Sequence, residues 1–303
     1  MTVMSVLGPI PDSDLGHVQT HEHVLLDLGR APYRWDYEGL LDDPVVAGHE
    51  LLAYRAVGGT TLCELTTPDL GRSAVGLRAA ALASGVHIVM GCGWYRGPYY
   101  APDMDRRSTR ELADGLVAEI DRGVGDSGIR PGLIGEIGSD KAWLSGLEER
   151  AFRAAGQAQA RTGLALMTHT PPGGAQAQLD VLAEAGADLR RVAVGHSDGL
   201  LDRSYHDLIL EAGAYLSFDL VGQSVYPDER RARHLVDLVN AGHLERLLVS
   251  TDLCHRSRLH AWGGAGYPFL IESFLPRLLA LGVTEAQVVV LTRDNPRRYL
   301  AGA

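Results

Sequence analysis

Short apolar or β-branched runs alternate along this chain with longer stretches in which Ala, Leu, Glu and Arg recur at helical spacing. The runs ending near His21, Leu65, Gly91, Ile137, His169, His196, Phe218 and Asp252 read as strands, and residues 45–57, 109–122, 148–162 and 227–240 read as helices between them. Several helical stretches stop at glycine, at Gly58, Gly123, Gly163, Gly213 and Gly242, as helix C-termini often do. Such alternation marks βαβ units. Eight strands is the number that closes a (β/α)8 barrel, so the expected fold is α/β, a single TIM barrel with its active site at the C-terminal ends of the strands. Residues 28–44, 94–107 and 253–268 show neither period and each follows a predicted strand, which puts them on that same face, where loops carry specificity.

Composition narrows this picture. With 303 residues and 46% hydrophobic content the chain can bury a large core. A barrel of about 250 residues with additions accounts for that length as well as two domains do, and one domain over 1–303 is the simpler reading. A formal net charge of −10 and the lack of any Lys/Arg run argue against nucleic acid or an anionic membrane as partner, leaving a small molecule. An anionic substrate would need local positive charge, which metal ions supply. Met1 to Ile10 lacks a basic segment ahead of a long apolar one, and no window holds 18 uninterrupted apolar residues, so a cytoplasmic location is expected. Cys63, Cys92 and Cys254 are too few and odd in number for a disulfide framework.

The most informative local pattern is Thr20-His21-Glu22-His23 at the end of the first strand. Residues two apart on a strand share a face, so the two imidazoles converge and suit a first-row metal such as zinc, while Glu22 points to the other side. Four more potential ligands, Glu136, His169, His196 and Asp252, each close their own apolar run. Singly, either later histidine reads equally well as a hydrogen-bonded core residue, and Asp252 as a helix N-cap. In a barrel, however, the strand ends form one ring, and six ordered donors meet there. Four imidazoles and two carboxylates suffice for two divalent ions if one carboxylate, best Glu136, bridges. Zinc is the first expectation, with Mn, Co or Fe compatible with the same nitrogen and oxygen donors.

With these residues in place, the chain resembles the phosphotriesterase-related family of the amidohydrolase superfamily from about Gly16 to Leu300, and most closely its branch of phosphotriesterase homology proteins. In that family His-x-His lies on strand 1, a carboxylated Lys or a Glu bridges from strand 4, single histidines come from strands 5 and 6, and an Asp from strand 8. Mapped here these are His21 and His23, Glu136, His169, His196 and Asp252. Phe218-Asp219, Tyr226-Pro227-Asp228-Glu229, Gly263-Gly264-Ala265-Gly266-Tyr267 and Arg293-Asp294-Asn295-Pro296 match as well. The departures bear on substrate. Glu136 replaces the carboxylated lysine of phosphotriesterases proper and of many lactonases, so bridging should not need carbon dioxide. Leu220 stands where the lactonase branch has Arg, and Gly199 where phosphotriesterases have a second Asp, which weakens a quorum-lactonase reading and an extended proton relay behind Asp252. Tyr95 matches a metal-site tyrosine of the lactonases, although it reads equally as a loop aromatic. Relatives that pair as dimers make a homodimer one expected state.

The expected chemistry is a binuclear hydrolase. Two divalent ions about 3.5–4 Å apart lower the pKa of a water held between them from near 16 towards 7, and the hydroxide attacks an electrophilic centre. A carboxylic ester or lactone carbonyl is the first expectation, with promiscuous phosphotriesterase activity. An amide of an N-acyl amino compound, a phosphoester, and a metal-bearing binder without turnover are the alternatives. Asp252 is the expected proton acceptor. Glu64 and Asp198 are expected to hold ligand imidazoles in one tautomer. Tyr95, Tyr226, Cys254, Arg256 and Trp262 are expected to face substrate, with Cys254 reading equally as a small buried filler and the cationic His255, Arg256, Arg258 and His260 as a solvated loop.

Overall fold

A computed structural model describes residues 1–302. Eight parallel strands form one sheet: β1 His17–Glu22, β2 Gly59–Glu64, β3 His87–Cys92, β4 Leu133–Gly138, β5 Leu166–His169, β6 Val192–Val194, β7 Tyr215–Phe218 and β8 Leu247–Val249. Each pairs with the next in sequence, for example Leu62 with Ile88, Ile134 with Leu166 and Phe218 with Val249. The ends of the sheet meet just beyond the ladder, where the Asp252 N–H donates to the His21 carbonyl at 3.1 Å and the His21 N–H to Ser250 Oγ at 3.0 Å. The barrel is therefore nearly closed, and this seam carries two of the candidate ligands.

Alternation along the strands sorts the core into two shells. Val18, Cys63, Val89, Leu133, Met167, Ala193, Tyr215 and Leu248, one from each strand, fill the barrel interior, with Val3 and Tyr299 in the same cluster. Ile134, Leu166, Val194, Leu216, Phe218 and Val249 face outward into the cluster that packs under the helices. The interior layer is thus a packed core, and only the C-terminal mouth is left for polar groups.

The helices are α1 Pro44–Ala56, α2 Ala74–Ser84, α3 Thr109–Arg122, α4 Gly146–Thr162, α5 Ala175–Glu184, α6 Arg203–Glu211, α7 Asp228–Asn240, α8 Leu275–Ala280, α9 Glu285–Val289 and α10 Asn295–Ala301. Local chemistry explains their limits. The Asp43 carboxylate caps α1 ahead of a proline, capping boxes open α3 at Ser108 and α4 at Ser145, and Gly163 ends α4 with φ 67°. The expected helices fall within two residues of these bounds. Strands β6 and β8 end earlier than the sequence suggests, because the chain leaves the ladder before turning through left-handed backbone at His196 (φ 56°) and Asp252 (φ 43°). Of the three non-glycine residues in that region, Tyr33 lies in the first loop and the other two mark the ends of β6 and β8 as specially shaped.

The first unpatterned loop carries a small antiparallel pairing of Leu26–Asp27 with Leu40–Leu41, and between them Tyr33, Trp35 and Tyr37 are all exposed. Among the described residues no helix is long and apolar enough to cross a membrane.

Candidate active site

The strand ends bring all six expected donors together. Glu136 is central, and its two oxygens face different histidines. Oε1 lies 3.4 Å from His23 Nε2, while Oε2 lies 3.1 Å from His169 Nδ1, 3.4 Å from His21 Nε2 and 3.7 Å from His196 Nε2. Asp252 Oδ1 is 3.2 Å from His23 Nε2 and 3.7 Å from His21 Nε2. Two overlapping triads, His21 with Glu136 and His196, and His21 with His23 and Asp252, keep their donor atoms within 4.8 Å of one another, close enough to hold a metal ion. His21 Nε2 is fully buried and has no hydrogen-bond partner, an orphan that a cation would satisfy. The donors are nitrogen and carboxylate oxygen without thiolate, which fits zinc and its first-row neighbours.

Electrostatics within the cluster points the same way. Burial opposes charge on His21, His23 and His196, yet the carboxylates outweigh it. Asp219 and Glu136 raise His21 well above the usual imidazole value, Asp252 and Glu136 take His23 to about 9, and Asp219 with Glu136 takes His196 to about 10. Glu136 and Asp252 are correspondingly lowered, against their own burial, by the facing histidines. The carboxylates thus favour positive charge at the ring nitrogens that face them, where a divalent ion would sit.

The groups that orient the imidazoles differ from the sequence expectation. His21 Nδ1 is 2.8 Å from Asp219 Oδ2, and His196 Nδ1 is 2.9 Å from Asp219 Oδ1. A carboxylate only accepts, so both Nδ1 atoms carry the proton and both Nε2 lone pairs turn into the cluster. Asp198, expected in that role, instead pairs with the buried Arg231 and accepts the backbone N–H groups of Asp219 and Leu220, so it braces the segment bearing Asp219. Glu64 acts at one remove. It accepts from Thr66 Oγ1, which leaves the Thr66 oxygen to accept from His23 Nδ1 at 2.9 Å. Asp219 was missed as an orienting residue although its signal was available, since Tyr-Leu-Ser-Phe-Asp is an apolar strand closed by a carboxylate, like the runs that end in Glu136 and Asp252. Asp219→Ala should lower metal affinity or kcat by about 10–100-fold, because one change frees two ligand rings. Equilibrium metal titration and steady-state rates check this, and wild-type values for both would remove the role.

Glu22 turns away from the cluster, as its place on the strand predicts, and is structural. It accepts from Ser250 Oγ, Thr251 N and Oγ1 and Leu253 N, so it fixes the residues on both sides of Asp252. Gln223, in the loop after β7, donates from Nε2 to the Asp252 carbonyl at 2.9 Å and to Asp252 Oδ2 at 3.0 Å. Tyr267, from the Gly263–Tyr267 motif, donates to the His23 carbonyl at 2.6 Å.

The residues expected to face substrate separate into two groups. Tyr95 packs edge-on against His169 with ring centroids 4.6 Å apart and its hydroxyl 3.4 Å from His169 Nε2, while Asp69 Oδ2 accepts its backbone N–H at 2.9 Å. Cys254 is buried, and after burial itself the nearest cause pushing its thiol up is the Asp252 carboxylate. Tyr95 lies at the cluster, and the Cys254 thiol contacts His255 Nδ1 at 3.3 Å. Trp262 and Tyr226 sit towards the surface, each with a guanidinium over its ring, Arg256 at 5.1 Å and Arg230 at 4.7 Å. Arg256 is a correction to the expected role. It donates to the Leu40 carbonyl and to Asp42 and lies between Tyr37 and Trp262, so its charge joins two loops instead of facing a substrate.

Comparison with known proteins places this geometry. The model of the phosphotriesterase family matches residues 1–300. The chain is 34% identical over 288 residues to the phosphotriesterase homology protein of Escherichia coli, covering 94% of this chain and 97% of that protein. It is 30% identical over 345 residues to the N-acetyltaurine hydrolase of Tetraodon nigroviridis, covering 98% and 97%. Among solved structures, a resiniferatoxin-binding protein from Rhodobacter sphaeroides superposes with a TM-score of 0.92 at 34% identity, over 99% of this chain and 94% of that one. With a near-closed barrel whose mouth gathers four histidines and two carboxylates, and with a match along nearly its whole length, the chain belongs to the phosphotriesterase family, whose members are hydrolases.

Proposed function

We propose that the protein is a binuclear metal hydrolase of acyl compounds, and that an amide of an N-acyl amino compound is its bond. The observation that carries the hydrolase reading is the placement of Asp252. One of its oxygens faces His21 and His23, the other is held by Gln223, and a proton acceptor so placed serves turnover and not mere binding. The preference for an amide is supported by the N-acetyltaurine hydrolases, matched over 98% of this chain, and by Leu220 in place of the arginine of the lactonase branch. Carboxylic esters and lactones, more reactive versions of the same carbonyl, form the second reading.

His21, His23, Glu136 and Asp252 would hold one divalent ion, zinc by preference, and Glu136, His169 and His196 the other. Bound there, two such ions supply a hydroxide at neutral pH and polarise the carbonyl oxygen. The chain does the rest. Asp219 keeps two rings in the ligand tautomer, Glu136 holds the two halves of the cluster together, and Tyr95 walls the side at His169. Asp252 accepts the proton of the attacking oxygen and returns it to the departing nitrogen, which without that proton leaves as a poor amide anion.

Initial rates of the zinc-loaded protein on one panel of N-acyl amino compounds, lactones, carboxylic esters and phosphotriesters test this, with Asp252→Asn as blank. The expected result is kcat/KM of about 10⁴ M⁻¹s⁻¹ or more on one carbonyl class, the N-acyl compounds leading. Phosphotriesters turned over faster than every carbonyl substrate would overturn it.

A further inference from the structure

The basic residues of the loop after β8 are engaged within the protein. Arg256 joins Leu40 and Asp42, Arg258 donates to the carbonyls of Thr251, Asp252 and Val221, His260 faces Glu50, and His255 sits beside the Cys254 thiol. Positive charge near the cluster comes from two other arginines. The Arg96 guanidinium carbon lies 5.2 Å from the ring centroid of Tyr95 and 5.5 Å from that of Tyr99, and Tyr95 is the ring packed on His169. Arg34, from the loop after β1, donates from Nη1 to the Tyr99 hydroxyl at 2.7 Å. Two guanidinium groups thus converge on one aromatic ring, each with a single carboxylate, Asp140 for Arg96 and Asp36 for Arg34.

Each guanidinium keeps donors beyond those used on its carboxylate. Arg96 is a fork of five donors; Nη1 is used on Asp140, whereas Nε is buried with no acceptor. A buried donor left unmade is costly, and the Nε edge of a guanidinium matches the two oxygens of an oxyacid anion. His169 is the most exposed of the six cluster side chains, at 21%, so the most open side of the cluster is the one beside Tyr95, the ring over which Arg96 lies.

We propose that Arg96, with Arg34 behind it, forms an anion subsite beside the metal cluster, and that the substrate is an acyl compound whose leaving portion carries a carboxylate or sulfonate. This inference rests on the hydrolase reading for its substrate but not for its binding site. The subsite would also answer how a chain of net charge −10 accepts an anion without a basic surface.

The test compares N-acetyl derivatives of two- and three-carbon aminoalkyl carboxylates and sulfonates with their neutral carboxamide counterparts, in the zinc-loaded wild type, Arg96→Met and Arg96→Lys. Two readouts are taken, KM with kcat, and calorimetric affinity for each compound in an Asp252→Asn background. The wild type is expected to prefer the anionic compounds in KM and in affinity. Arg96→Met should reduce that preference at least tenfold, mainly through KM, and Arg96→Lys should restore part of it, since charge returns without the fork. The carboxylate and sulfonate arms identify which anion fits better. An equal loss on anionic and neutral compounds, or no loss on either, would overturn the subsite. Anion binding that depends on Arg96 without turnover would keep the subsite and overturn the hydrolase reading; turnover indifferent to Arg96 would do the reverse.

Discussion

Asp252→Asn is expected to lower kcat by about 10²–10⁴-fold, the range for removing a positioned acid–base group, while two metal ions per chain are retained. The residue is firmly placed. Its N–H donates to the His21 carbonyl across the barrel seam, Glu22 binds the backbone on both sides of it, and Gln223 holds its carbonyl and one side-chain oxygen. An asparagine has the same shape and still presents a side-chain oxygen towards His21 and His23, so metal occupancy should survive. What it lacks is basicity. Although it is buried, the facing His23, His21 and His196 lower the Asp252 carboxyl below its usual value, whereas an asparagine amide takes no proton at all. The check is kcat beside metal content measured on the same preparation. Near-normal turnover with two ions bound would take Asp252 out of proton transfer.

Much of this site was legible in the sequence because barrel geometry converts sequence order into a ring. Each of the six donors closes an apolar run, and the parallel ladder brings all those ends to one mouth whatever fills the segments between. The period-2 rule likewise separated His21 and His23 from Glu22 correctly. What was not legible depends on side-chain reach and not on strand position. Asp219 serves two histidines at once, which no spacing announces, and Glu64 works through the hydroxyl of Thr66. Gln223 lies four residues beyond Asp219 in a loop without periodicity, and only the folded loop carries its amide to Asp252. The cationic loop after β8 depends on side-chain reach in the same way. Its cations read either as a solvated loop or as a substrate-binding patch, but Arg256 and Arg258 reach backbone carbonyls and join neighbouring loops, while Arg96, which no motif singled out, lies over the Tyr95 ring that packs on His169. In sequence β6 and β8 read on to the candidate ligands His196 and Asp252, whereas the ladders stop at Val194 and Val249 and the chain then turns through left-handed backbone at those two ligands.

Glu136→Ala should have the other large effect, and it should differ in kind. Glu136 is the one residue whose two oxygens address both halves of the cluster, Oε1 towards His23 and Oε2 towards His169, His21 and His196. Its removal leaves four histidines without the carboxylate they share, with His196 Nε2 already 2.8 Å from His169 Nδ1. Bound metal is expected to fall from two ions per chain to one or none, and kcat/KM to fall by more than the about 10–100-fold that follows loss of an orienting partner. Asp252→Asn should therefore fail in turnover with metal present, whereas Glu136→Ala should fail in metal, so rate and metal content together assign each residue. Because the bridging group is a glutamate, metal uptake by the wild type should be the same in buffer stripped of carbon dioxide as in buffer saturated with it, unlike a centre built on a carboxylated lysine. Two tightly held ions in Glu136→Ala would exclude the bridging role, since no other carboxylate of the cluster reaches all four histidines.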